Sequence, residues 1–268
     1  MDQALRPLKT RACPLCARDE RAPLPAYSRE PWRVVECRSC RFVYLANPPG
    51  HAALEEDFAW EETSVSEKQR RLKAAPVMYG LDYATRRLRT AFRPDEAKKY
   101  IRWFGNGGNL LDIGCAEGAR IGPPFTPYGI ELSTALAREA DKRMRAQGGY
   151  CIHASGADGI SQFPATHFDG ILMRSYLEHE EEPLKVLRGA LRVIKSTGKV
   201  YVKVPNYGSV NRRVVGRNWC GFRHPDHVNY FTLSTLRRMA ARAGFNTRLL
   251  NGLNLAVDDN IHVLLSRA

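Results

Sequence analysis

Two sets of residues in this 268-residue chain have types and spacing that could do chemistry. The first lies in the run NLLDIGCAEGARIGPPFTPYGIELS, Asn109 to Ser133. An apolar stretch, Leu110 to Ile113 with Asp112 inside it, enters a turn carrying Gly114 and Gly118, and a second short stretch, Tyr128 to Ile130, ends on Glu131. Strand, glycine turn and strand ending in an acid form the opening of a nucleoside-binding half-sheet. The glycines let the backbone approach a ligand closely, and an acid at the second strand's tip can accept both ribose hydroxyls. The second set is Cys13-Pro-Leu-Cys16 and Cys37-Arg-Ser-Cys40, two C-x-x-C pairs with 20 residues between them. That spacing suits four thiolates around one tetrahedral, structural zinc ion. Two disulfides are the alternative, and they belong to an oxidising compartment.

The elements that must position these groups alternate along the chain. Trp32 to Glu36 and Phe42 to Leu45 read as strands around the second cysteine pair. Leu54 to Lys73 and Tyr79 to Phe92 read as helices, and a further helix begins at Asp95-Glu96 and stops near Gly105. Arg86, Arg87, Arg89 and Arg93 crowd there, as a solvated face or an anion clamp. Beyond Glu131 come a helix from Thr134 to Arg145 capped by Ser133, strands at 150–153 and 168–173, a helix from Pro183, and a strand from Gly198 to Val204. A helix from Thr232 to Gly244 and closing strands at 248–255 and 262–266 complete the chain. Such βα alternation predicts an α/β, doubly wound, mostly parallel sheet. Three segments follow: a zinc ribbon over 1–49, a helical cap over 50–105 and a ligand-binding domain over 106–268.

A nicotinamide fingerprint would read G-x-G-x-x-G, but here Ala116 replaces its second glycine. With Asp112 two residues ahead, the turn instead resembles motif I, D-x-G-x-x-x-G, of class I S-adenosylmethionine (SAM) methyltransferases. The run FDGILMRSYLEHEEEPLKVLRGALRVIKSTGKVYVKVPN resembles the middle of the same family, with the Leu177-Glu178-His179 loop, Pro183 and Val204-Pro205-Asn206 in order. The later NWCGFRHPDHVNYFTLSTLRRMAARAGF resembles the branch acting on sugars and natural products, some of whose members carry an N-terminal four-cysteine zinc domain.

The resemblance implies a Rossmann-like seven-stranded sheet and SAM as cofactor, beside a structural zinc. It implies that Gly114, Cys115, Ala116 and Gly118 wrap the methionine end of SAM, with Asp112 beneath. Glu131 would take the ribose and Leu132 face the adenine, with Ala157 and Asp158 at the adenine edge and Arg174 and Ser175 near the methyl. A hydroxyl acceptor would want a base; the candidates are His179, His227 and His224. Trp219, Tyr176 and Tyr230 offer an acceptor wall or core packing. One feature departs from the family: only 10 residues separate Gly118 from Gly129, and Pro123, Pro124 and Pro127 are among them. Prolines forbid a regular helix there, so the first crossover is expected to shrink to a turn.

Net charge is +13, spread along the chain. Such a surface favours an anionic partner. A small-molecule or glycan acceptor fits, and RNA is the alternative, though no single-strand-binding motif with clustered aromatics supports it. A zinc-ribbon interaction protein on a degenerate methyltransferase fold is the non-catalytic reading. No apolar run reaches the roughly 18 residues of a membrane span, and the first residues lack a signal-peptide core. A cytoplasmic location is therefore expected.

Overall fold

The structure, a computed structural model, describes residues 10–49, 69, 72 and 96–268. The helices expected over 54–73 and 79–92, and the arginines at 86, 87, 89 and 93, lie outside these residues, save that Gln69 and Leu72 are helical. No described helix is long and apolar enough to cross a membrane.

The main sheet has seven strands: β4 (Gly108–Ile113), β5 (Phe125–Glu131), β6 (Tyr150–His153), β7 (Phe168–Arg174), β8 (Ile194–Pro205), β10 (Phe245–Leu249) and β11 (Asn260–Arg267). Their spatial order is β10-β11-β8-β7-β4-β5-β6. All pairings from β8 to β6 are parallel, and β11 alone runs against its neighbours. The strand order reverses at β4, so ligands belong at the carboxyl ends of β4, β5 and β7.

Local sequence explains most elements. Helix α1 (Glu96–Phe104) stops before Gly105, whose φ of +100° suits glycine. Helix α2 (Thr134–Arg145) has Ser133 as its cap, accepting from the Leu136 amide. Helix α3 (Gly156–Gly159) is capped by Ser155, and α4 (Pro183–Val193) opens on proline. A short α5 (Val210–Val215) follows β8. Helix α6 (Leu233–Arg242) is closed by a capping box between Thr232 and Thr235. Between β4 and β5 the chain forms turns and no helix, as its prolines require. Ile121 plugs the space, packing with Phe125, Tyr100 and Leu172. The strand expected over 248–255 ends at Leu249, because Gly252 to Val257 form turns there. Asn251 turns back to bond Asp258 and the carbonyl of Asn260.

The N-terminal cysteines flank a second sheet of β1 (Arg21–Pro23), β2 (Val34–Cys37), β3 (Val43–Leu45) and β9 (Asn229–Tyr230), in which Cys37 ends β2. Its fourth strand comes from the far end of the chain. Trp32, Val34, Val43 and Leu45 share one buried cluster with Tyr207, Trp219, Phe222 and Tyr230. Trp219 and Tyr230 are therefore core, and the Trp219 indole donates to Asp259 at 2.8 Å.

Candidate active site

At the end of β4, Asp112 pairs with Gly129 on one side and Leu172 on the other, at the middle of the sheet. Its carboxyl is almost wholly buried. Arg120 holds Oδ2 at 3.0 Å, while Oδ1 has no hydrogen-bond partner. Burial pushes this carboxyl up to about 6, against the pull of Arg120. Gly114, Ala116 and Gly118 all have positive φ (73°, 50° and 71°), so the chain doubles back over Asp112. Glu131, ending β5, stitches this turn to its own strand: it accepts from the Ala116 amide at 2.8 Å and from the Leu132 and Ser133 amides at 2.9 and 3.0 Å.

Across the groove, Ala157 is buried in α3, and exposed Asp158 accepts from Ser155 and pairs with Lys185 at 3.3 Å. Tyr176 spans the gap between the two turns. A Cβ on Gly114 would come within 3.0 Å of its ring, and one on Gly156 within 2.0 Å of its phenol oxygen. That phenol donates to Glu180. Ser175 just before it is exposed with φ of +55°. Arg174 reaches Glu96 at 2.6 Å and the Tyr100 hydroxyl at 3.0 Å. Cys115 is buried with its Sγ 3.6 Å from that of Cys151.

Two of the three candidate histidines meet. The His179 and His227 rings stand edge to face with centroids 4.7 Å apart. His179 Nδ1 faces the Asp226 carbonyl at 2.9 Å and His227 Nδ1 the Gly221 carbonyl at 2.8 Å. A carbonyl only accepts, so both Nδ1 atoms carry the proton. Burial, reinforced by Arg223, pushes the His179 imidazole down to about 4. His224 points elsewhere, with Nε2 3.1 Å from the Tyr27 carbonyl.

Three further residues build this second region, Glu178 from the Leu177-Glu178-His179 motif and two that the motifs do not mark. Glu178 is buried beside the histidines with Oε2 unpartnered, and burial pushes its carboxyl up to about 8. Asn229 donates to the carbonyls of Leu177 and Glu180 at 2.7 and 2.6 Å. Arg11 reaches from the N-terminal segment to the carbonyls of Leu45, Glu181 and Val228 and to Asn229 Oδ1. Arg11 sits two residues before a C-x-x-C pair, and nothing in that position marks it as a clamp.

The four N-terminal thiols converge. One Sγ from each of Cys13, Cys16, Cys37 and Cys40 lies within 4.8 Å of the others, with Cys13–Cys40 and Cys16–Cys37 both at 3.5 Å. A tetrahedral ion with bonds of about 2.3 Å wants its sulfurs about 3.8 Å apart.

Comparison with known proteins places this arrangement in a family. Residues 81–250 match the model of a methyltransferase-domain family, so the chain belongs to it. Its fold is that of the SAM-dependent methyltransferases: a crystal structure of one from Archaeoglobus fulgidus superposes with a TM-score of 0.50 at 14% identity, covering 66% of this chain and 96% of that one. An uncharacterized protein of Methanocaldococcus jannaschii is 35% identical over 126 residues, which span 40% of this chain and 58% of its relative. A ubiquinone biosynthesis O-methyltransferase of Aeromonas salmonicida is 25% identical over 169 residues, 56% of this chain and 68% of that protein.

Proposed function

We propose that the protein is a SAM-dependent methyltransferase acting on an oxygen of a small-molecule or glycan acceptor, with a structural zinc in its N-terminal sheet. The observation that carries the reading is Asp112: a buried carboxylate oxygen left without a partner, directly under a glycine turn at the switch point of the sheet. Such an oxygen suits the cationic amino end of SAM, directly or through water. The residues that would hold the cofactor are Asp112 and the Gly114–Gly118 turn at the amino-acid end, and Glu131 with Leu132 at the ribose and adenine. Ala157 and Asp158 would close the adenine edge, and Ser175 would lie toward the methyl. Glu131 keeps one lone pair, on Oε2, for a ribose hydroxyl while its three backbone donors fix its orientation. Arg174 belongs to the wall of the site through Glu96.

Bound SAM supplies a methyl already activated on a sulfonium. The chain's own work is to align acceptor and cofactor and to exclude water. Tyr176 lies against both Gly114 and Gly156 and would cover the groove between them. His179 and His227, a few residues along the same loop or folded against it, place their imidazoles to receive an acceptor's proton or to hold what draws it off. The oxygen acceptor is supported by the relative named an O-methyltransferase, and an anionic one by the +13 charge.

The test is calorimetric titration with S-adenosylhomocysteine. Wild type should bind in the micromolar range, and Glu131→Ala should lose that binding. No binding by folded wild type would overturn the reading.

A further inference from the structure

The second region holds a group of side chains that methyl transfer alone does not explain. Glu178, His179 and His227 each place one ligand atom within 4.8 Å of the other two. We propose that these three residues bind one divalent transition-metal ion beside the acceptor site.

Four observations converge. First, both histidines are fixed in the tautomer a metal needs, because Nδ1–H donates to the carbonyls of Asp226 and Gly221 and leaves the lone pair on Nε2. Second, Glu178 Oε2 is buried and unpartnered in the same cluster, and a buried carboxylate oxygen left so is costly unless a cation meets it. The cations acting on it are Lys203 and Arg223; neither hydrogen-bonds Oε2, and Arg223 is engaged by Asp226 at 2.7 Å. Third, the backbone carrying the ligands is held rigidly. The Val228 and Asn229 amides both bond the Glu178 carbonyl at 2.7 and 3.1 Å, and Asn229 clamps Leu177 and Glu180. Fourth, two imidazoles and one carboxylate form a mixed nitrogen and oxygen set, which suits zinc, manganese, iron(II) or cobalt and is poor for magnesium or calcium.

An ion bound at about 2.0 to 2.2 Å wants its ligands about 3.5 Å apart or less, so closure needs movements of about an ångström. Three protein ligands leave a coordination position open. An acceptor hydroxyl bound there would give up its proton to water more readily, as metal-bound water does. With the ion in place, the histidines hold metal and accept no proton. Glu178 lies two residues from Tyr176, which would cover the proposed cofactor groove, so such an ion would sit at the acceptor side.

Metal binding here does not depend on methyl transfer and is tested without it. Full-length protein is equilibrated with cobalt(II), desalted, and read by total metal content and visible spectrum. Wild type should hold one ion per chain more than Glu178→Gln or His227→Gln. That extra ion should show weak d–d absorption without a thiolate charge-transfer band, which separates it from cobalt at the cysteines. Near-UV circular dichroism confirms that each variant is folded. Equal metal content in wild type and both folded variants would overturn the proposal. So would a wild type in which every bound ion carries the thiolate band, a reading that needs no variant.

Discussion

The two halves of the candidate site are built differently. The cofactor half is one strand, one turn and one strand: Asp112, the glycine turn and Glu131 lie within a single stretch, and their mutual bonds are made there. The acceptor half is assembled from afar. Arg11, the loop around Glu178, the turn at Gly221 and strand β9 meet only because an N-terminal sheet recruits a strand from near the C-terminus. A local site should survive damage to distant parts of the chain, whereas an assembled one depends on every contributor. Each half should therefore be breakable separately.

The largest separation should come from Cys37→Ser. A structural zinc contributes on the order of 10 kcal/mol to a small thiolate domain, so the variant should lose its zinc and melt the N-terminal sheet. β3 then no longer pairs with β9, and hydrogen exchange at Val228 to Tyr230 should rise steeply. S-adenosylhomocysteine binding, measured by calorimetry, should persist. Loss of both together would show that the halves form one cooperative unit, and full zinc retention would remove the four-thiolate site.

Glu131→Ala is the mirror experiment. It removes the acceptor of three backbone amides and the proposed ribose contact. Affinity for S-adenosylhomocysteine should fall roughly 100-fold, about 2.7 kcal/mol, while zinc content and protection at Val228 to Tyr230 stay at wild-type levels.

The same contrast governs what could be read from the chain. The cofactor half was legible because each device has a short sequence cause: positive φ at Gly114 and Gly118, an acid closing a strand, prolines suppressing the first helix. The sheet followed from alternation of local elements. The acceptor half was legible only as candidate histidines and aromatics, without their arrangement. Nothing local distinguishes His227, which meets His179, from His224, three residues earlier, which turns to Tyr27. Glu178 was visible as part of a motif, but its unpartnered oxygen depends on packing. Arg11 and Asn229 were silent, since a clamp between residues more than 200 positions apart leaves no periodic or spacing signal. Trp219 and Tyr230, open between acceptor wall and core, are core because the two sheets meet there.

Arg11→Ala should weaken the junction without dissolving it. Three backbone carbonyls and Asn229 Oδ1 lose their donor, and charged hydrogen bonds of this kind are worth about 2 kcal/mol in all once partial solvent access is allowed for. Urea unfolding should report that loss. Zinc content should hold, because the thiols remain, and Arg11→Lys should recover only part, since an ammonium cannot span the same fan of acceptors.

The smallest effect is the most specific to the cofactor half, and it has two opposite signs. The Asp112 carboxyl titrates near 6 in the ligand-free protein, raised from 3.8 by burial. A cationic ligand end favours the ionised form, so S-adenosylhomocysteine affinity should be level above pH 6. It should fall by up to about tenfold, or about 1.4 kcal/mol, per pH unit below. Stability runs the other way. The folded state holds this proton more tightly than the unfolded chain, so between about pH 4 and 6 Asp112 makes the ligand-free protein less stable as pH rises, and above 6 its contribution is constant. Asp112→Asn should flatten both profiles, and calorimetry and urea unfolding at pH 5 and 7 read the two limbs. A binding profile that keeps its slope in the variant would move the cation contact away from Asp112, and with it the proposed placement of the amino-acid end.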